Sequence, residues 1–312
     1  MDKRLPSNLP HKSRIEITEM INELREKGWI KIEDHRKDRD GGLGNTLEDL
    51  LDIQENNEPI ADLGEFELKT HRKKSGSLIS IFRMEPGPND RDSILPYLIE
   101  NYGWPISKPQ YPKDEKSLRV DMDAKSYAER GFIINVNSQL KRFEIHFDHT
   151  KVPSTIRGET TVEWLKNIER SVGLEDLDEN SYYPFDKIQK KISEKSENML
   201  FVKLDTNKED NDQFMKVDSV YFLEHASIDT FVKAIEMGHL QIEFNARTHH
   251  NHGTAFRTWE RFLSSIWPDV STQSHGFILK LQELSITTFT KRMDGSLDTF
   301  ELQFRGILTG LI

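Results

Sequence analysis

The run FELKT, residues 66–70, alternates apolar and polar side chains with the two-residue period of a strand buried on one face. Side chains two apart share a face, so Glu67 and Lys69 stand side by side while Phe66 and Leu68 turn the other way. Asp62 lies across Leu63 and Gly64, where the chain can bend and bring a second carboxylate close. Upstream, GGLG (41–44) reads as the end of a charged, glycine-rich loop. A helix follows from Asn45 or Thr46, with Leu47, Leu50 and Leu51 inward and Glu48 in its first turn on a different face. Glu48, Asp62, Glu67 and Lys69 can therefore meet at one site.

Carboxylate oxygens in a chain with no cysteine favour a hard cation, Mg²⁺, Mn²⁺ or Ca²⁺, over zinc. A lysine beside them can stay charged, orient or help deprotonate an attacking water, and offset developing negative charge. The competing reading is a solvated strand face, because D-x4-E-x-K recurs by chance in a chain that is 31% charged. Context favours chemistry: the pattern sits on a strand, follows a bend and is preceded by a helix offering a further carboxylate.

The 312 residues suffice for one large domain or two modest ones. The longest apolar runs, such as MLFV (199–202) and GFILKL (276–281), are far too short to span a bilayer, and no signal peptide is visible at the start. Lack of cysteine fits a cytoplasmic protein. A net charge of -10 argues against a uniformly basic coat, but not against a local basic cleft, because screening confines the field to about 10 Å.

In chain order, residues 1–12 read as an irregular start. Ile15, Ile17, Met20, Ile21 and Leu24 then have helical spacing, with Ser13 as N-cap and Gly28 as stop, and WIKI (29–32) reads as a short strand. QENNEP (54–59) reads as a loop, and SLISIFRM (77–84) as the antiparallel partner of FELKT across Ser75-Gly76. SILPYLIENYGW reads as a helix broken by proline. SLRVDMD, GFIINVNS and RFEIHFDH form an expected meander, followed by a helix over 160–173. Residues 175–197 are expected as a lobe boundary or a surface helix, and ENMLFVKLDTN as a buried strand. Asp205–Asp212 is expected as a loop, KVDSVYFLEH as a strand, SIDTFVKAIEMGH as a helix and LQIEFNAR as a strand. THHNHGTAFR reads as a His-rich loop entering a helix RTWERFLSSIW, and a final hairpin is expected around Asp294-Gly295. The tryptophans at 104, 164, 259 and 267 belong to core or lobe interfaces. The class is mixed α/β, with a mixed or antiparallel sheet favoured over a doubly wound parallel one.

GNTLE (44–48), the carboxylate Asp62 and E-L-K at 67–69 together resemble the PD-(D/E)xK nucleases, nearest to the MvaI/BcnI-type restriction endonucleases and their relative, the MutH mismatch-repair nicking enzyme. The specific match covers residues 41–74. HNHGTAFR (250–257) also looks like a family segment. Ile60-Ala61 stands where a proline often precedes the aspartate, and MutH has a longer spacing from aspartate to E-x-K, which favours the restriction branch. The resemblance implies a core sheet flanked by helices, a second lobe clamping duplex DNA, and catalytic roles for Glu48, Asp62, Glu67 and Lys69. Asp62, Glu67 and Glu48 would hold Mg²⁺, with Mn²⁺ or Ca²⁺ able to replace it in binding. It further implies hydrolysis by metal-activated water within a short double-stranded site, of CC-N-GG type in this branch. The enzyme would work as a monomer, with no membrane partner and a cognate DNA methyltransferase in the host. One nuclease chain is expected over 1–312, with the catalytic core including 13–90. The alternatives are a MutH-like strand-nicking enzyme and a non-catalytic DNA-binding protein of the same fold.

His71, Arg72, Lys73 and Lys74 directly follow the catalytic strand and would set positive charge beside a phosphate; a solvated hairpin end competes with this reading. Arg247, His249, His250, His252 and Arg257 form a second cluster. No carboxylate lies among them, so phosphate or base-edge contact suits them better than metal, and a structural loop turning at Gly253 weighs nearly as much.

Overall fold

In the computed structural model, which describes residues 12–37, 41–53, 61–87, 94–106, 108–177, 181–274 and 277–280, the chain opens on α1 (Arg14–Lys27). Ser13 caps it reciprocally with Glu16, and Gly28 ends it at a φ of 70°, as the helix signals predict. There follow β1 (Ile30–Lys31), α2 (Gly42–Leu50), β2 (Glu67–Arg72) and β3 (Ile79–Arg83). Next come α3 (Leu95–Tyr102), β4 (Trp104–Pro105), β5 (Lys116–Met122), β6 (Phe132–Asn137) and β7 (Arg142–Phe147). A small hairpin, β8 (Thr155–Ile156) with β9 (Glu159–Thr160), precedes α4 (Val162–Val172), β10 (Tyr182–Pro184) and α5 (Phe185–Lys191). Helix α5 runs on into a π-helical turn, Ile192–Ser196. The described chain then holds β11 (Met199–Glu209), β12 (Asp212–Glu224), α6 (Ile228–Glu236), β13 (Leu240–Arg247), β14 (His250–Thr258), α7 (Leu263–Ile266), β15 (Asp269–Ser274) and β16 (Phe277–Lys280). By contacts the chain divides into Met1–Gln282 and Glu283–Ile312, and every described residue belongs to the first unit.

One sheet is mixed, in the order β16-β15-β12-β11-β2, with β1 also paired to β12. Its parallel step sets β2 against β11, Glu67 opposite Met199 and Leu68 opposite Leu200. The first half of β11, residues 199–204, is buried on both faces, as its continuous apolar run requires. Leu200, Val202 and Leu204 join Leu68, Phe66 and Phe222 beneath Ile17, Ile21, Leu47 and Leu51 of the first two helices. Met199 and Phe201 face the opposite way, into the larger core with Phe231, Ile235, Ile266 and Trp267. A second sheet, antiparallel in the order β3-β14-β13-β5-β4, closes that core from beyond, and a third is β10-β7-β6.

Several expectations are corrected. Strand β3 is no hairpin partner of β2: it pairs with β14, where Phe82 stacks on Phe231 with centroids 5.7 Å apart and lies 4.8 Å from Phe256. Burial of Ile79, Ile81 and Phe82 in the larger core outweighs the local turn signal at Ser75-Gly76. The meander splits for the same kind of reason: β6 and β7 form their hairpin, but β5 lies between β13 and β4. The expected loop at 205–212 is instead the tip of one long β11–β12 hairpin, turning at Asp210 with a φ of 52°, which an aspartate tolerates. Pro96 does not break α3 but sits in its first turn, where no backbone N–H is needed. The His-rich segment is strand β14 rather than a loop, and the helix after it shrinks to a 3₁₀ turn and the single turn α7. The 175–197 stretch contains β10, α5 and the π turn, with Tyr183, Ile188 and Ile192 in the larger core. The expected hairpin around Asp294-Gly295, residues 1–11 and the QENNEP loop lie outside the described residues.

Candidate active site

Strand β2 sorts its side chains as the alternation predicts. Phe66 and Leu68 enter the core under the first two helices, while Glu67, Lys69 and His71 share the other face. A tight turn precedes it: Leu63 donates to the Phe66 carbonyl at 3.0 Å, and Gly64 takes a φ of 79° that other residues adopt only with strain. The turn folds Asp62 back, and its Oδ2 accepts the Leu68 N–H at 3.1 Å. Glu67 is held by its own backbone, donating to the Asn198 carbonyl at 3.0 Å where β11 begins.

The side chain of Glu67 is 1% exposed. Its Oε1 accepts from Lys69 Nζ at 2.5 Å and lies 3.6 Å from Lys195 Nζ, while Oε2 is buried with no hydrogen-bond partner. Burial pushes this carboxyl up to about 7; the Lys69 charge pulls it down, and the neighbouring Asp62 charge pushes it up again. A buried carboxylate oxygen lacking a donor, beside a second carboxylate, is a donor set that suits a hard cation.

Among the described residues no three His, Asp or Glu side chains converge at metal-holding distance, so Glu48 is not gathered with Asp62 and Glu67. Two carboxylates still suit Mg²⁺, which commonly keeps several waters and takes its remaining ligands from substrate phosphates. Helix α2 starts at Gly42 rather than near Asn45, which puts Glu48 toward its end instead of in its first turn. Gly44, four residues before Glu48 and so on the same helical face, lets α2 approach β2: a β-carbon there would lie 3.3 Å from Thr70 Oγ1.

The expected DNA-contacting residues separate into two kinds. His71 is buried, with Nε2 at 3.2 Å from the Ser77 carbonyl and Nδ1 at 3.9 Å from Glu260, so its ring does not join an exposed basic turn. Lys73 pairs with Asp218 at 2.5 Å, whereas Arg72 and Lys74 are exposed. Arg257 is held inside, bonded to Glu243 at 2.7 Å and to the Leu78 carbonyl at 3.1 Å. Arg247 lies over the Tyr111 ring at 4.6 Å. His249 bonds Glu115 at 2.8 Å, and the side chains of His250 and His252 lie outside the described residues.

A cavity of about 1140 Å³ opens over the polar face of the second sheet. Arg119, Asp121, Asn245 and Arg247 line it, with Arg130 held between Trp104 at 4.3 Å and Trp164 at 4.9 Å. Cross-strand pairing sets Asn245 opposite Arg119 and Glu243 opposite Asp121. Asp62, Glu67 and Lys69 do not line this cavity. Arg119 and Asp121 were not expected at this cavity, although the alternation of SLRVDMD already assigns them to one face. Lys195 was not expected near Glu67 either, and no local pattern exists for it.

This mixed sheet, flanked by helices and carrying a carboxylate–lysine strand, is a restriction-endonuclease-like fold. The structure titled "Restriction endonuclease MvaI-cognate DNA substrate complex" matches it with a TM-score of 0.64 at 19% identity, over 84% of this chain and 99% of that one. "Restriction endonuclease MvaI in the absence of DNA" has a TM-score of 0.44 at 18% identity, over 82% and 97%. The model of the MvaI/BcnI restriction endonuclease family matches residues 18–267, and the chain belongs to that family. It is a type II site-specific deoxyribonuclease, and enzymes of its family generally use divalent metal ions. No curated protein matches it. Among the described residues no helix is long and apolar enough to cross a membrane.

Proposed function

We propose that the chain hydrolyses phosphodiester bonds in a short double-stranded site of CC-N-GG type, with Mg²⁺ as its cofactor and Asp62, Glu67 and Lys69 at the centre of the chemistry. The observation that carries this reading is Glu67, buried, bonded through Oε1 to Lys69, and with Oε2 free of partners beside Asp62. Asp62 and Glu67 would hold the ion, and Glu48 would reach it directly or through water. Once bound, Mg²⁺ supplies Lewis acidity, polarising a phosphoryl oxygen and easing deprotonation of the attacking water. Asp62 is oriented for this task by the Leu68 N–H. Lys69 moves its ammonium from Glu67 toward the water and the reacting phosphate, where it orients the one and offsets charge on the other. Arg72, the last residue of β2, and Lys74 just after it are exposed and add phosphate affinity.

The lined cavity supports the target class. Arginine pairs with guanine O6 and N7, and a carboxylate accepts from cytosine N4, so Arg119, Arg247 and Asp121 on one sheet face suit G·C pairs. The enzyme acts as a monomer in the cytoplasm, and a cognate methyltransferase protects the host's sites. Digestion of unmodified DNA of known sequence with Mg²⁺, by wild type, Asp62→Ala and Lys69→Ala, tests the reading. Discrete fragments sharing one site, lost in both variants, are expected. Intact DNA bound with steep salt dependence would leave a binding protein, and nicking that requires added repair proteins would indicate a MutH-like strand-nicking enzyme.

A further inference from the structure

Glu67 has a second cationic neighbour that lies far from it in sequence. Lys195 belongs to the π-helical turn Ile192–Ser196, which follows α5 and leads into β11. Such turns often occur at functional sites. This one is anchored: Ile192 and Ser196 are fully buried, and the Ser196 carbonyl accepts the Trp267 indole N–H at 3.0 Å. Two residues after the turn, Asn198 accepts the Glu67 N–H, and Met199 lies opposite Glu67 in the parallel ladder. Lys195 thus reaches the carboxylate from the neighbouring strand's entry, with Nζ at 3.6 Å from Oε1 and a third of its side chain exposed.

Lys69 and Lys195 address the same oxygen, Oε1, and leave Oε2 without a donor. The last torsion of a glutamate is soft, so a single lysine that departs to serve the substrate would free the carboxylate to turn. A second ammonium on Oε1 prevents this. We infer that Lys195 is a positioning residue of the active centre: it keeps Oε1 of Glu67 engaged and Oε2 available to the cation while Lys69 works on the substrate. The inference rests on the nuclease reading above, and it assigns Lys195 no contact with DNA.

The test compares full-length wild type with Lys195→Met and Lys195→Arg, with Asp62→Ala as a control for the nuclease reading. In single turnover with Mg²⁺, Lys195→Met should cut about 10- to 100-fold more slowly, with its duplex Kd in Ca²⁺ within about twofold of wild type, and Lys195→Arg should recover most of the rate. Mn²⁺ titrated alone into the DNA-free protein should bind Lys195→Met several-fold more tightly, because one competing positive charge is gone. A structural residue would not raise metal affinity while lowering the rate. An unchanged cutting rate, a loss explained by weaker duplex binding, or an unchanged Mn²⁺ affinity would each overturn the inference. Should Lys195→Met not fold, Lys195→Gln is measured in the same way. If wild type cuts no duplex, the nuclease reading fails, and the Mn²⁺ titration alone decides the role of Lys195.

Discussion

Asp62 and Leu68 are joined across the turn before β2: the Asp62 carboxylate accepts the Leu68 backbone N–H at 3.1 Å. Leu68 points into the core while its neighbours Glu67 and Lys69 point away, so this one bond fixes a carboxylate relative to both. Asp62 is thereby oriented before any ligand arrives, and its removal has two separable consequences.

Asp62→Ala should abolish cleavage and also cost about 1.5–3 kcal/mol of stability, the usual value of a hydrogen bond to a charged group. Asp62→Asn, which keeps an acceptor oxygen, should regain most of the stability without regaining cleavage. Denaturant melts beside plasmid digestion separate the two, and a fully active Asp62→Asn would remove Asp62 from the chemistry.

The raised carboxyl of Glu67 makes stability depend on pH in a definite direction. In the folded protein it titrates at about 7 against an ordinary 4.5, chiefly because it is buried. Between those values the folded state binds a proton that the unfolded state lacks, so stability falls as pH rises through the window and levels off above it. The contribution is about 3 kcal/mol in protein stripped of metal with EDTA. Denaturant melts at pH 5 and pH 8 should show this fall in wild type and a much smaller one in Glu67→Gln. Equal pH dependence in the two proteins would contradict it.

Arg257 and Arg247 lie on adjoining strands but should respond differently to truncation. Arg257→Met strands the nearly buried Glu243 without its partner and should cost about 3–5 kcal/mol. Arg247→Ala, at the cavity wall over Tyr111, should leave the melting temperature almost unchanged and weaken binding of the target duplex by about 1–3 kcal/mol. Melting curves and duplex titrations in Ca²⁺ check both, and the reverse pattern would exchange their roles.

The legible part of this molecule was local. Glu67 and Lys69 could be paired from FELKT because a strand's two-residue period needs no knowledge of the rest of the chain. Ser13 and Gly28 bound α1 for a similar reason, since a cap is satisfied within four residues. The failures arose where a local signal competed with distant burial. Ser75-Gly76 is acceptable turn chemistry, yet β3 belongs with β14 because Phe82 gains Phe231 and Phe256 there. His71 looked like part of a basic turn until packing against Phe201 and Ser77 drew it inside.

Local order along the chain sets which strand carries the carboxylate and lysine, which of its faces is apolar, and that the available ligands are oxygens. Those properties follow from periodicity and side-chain chemistry alone. Tertiary structure decided what surrounds them: the parallel register that sets Glu67 opposite Met199, the π turn that delivers Lys195 to the same oxygen as Lys69, and the burial that leaves Oε2 without a donor. None of these can be read along the chain, because each depends on a contact between residues more than a hundred positions apart, selected by the burial of apolar surface across the whole core.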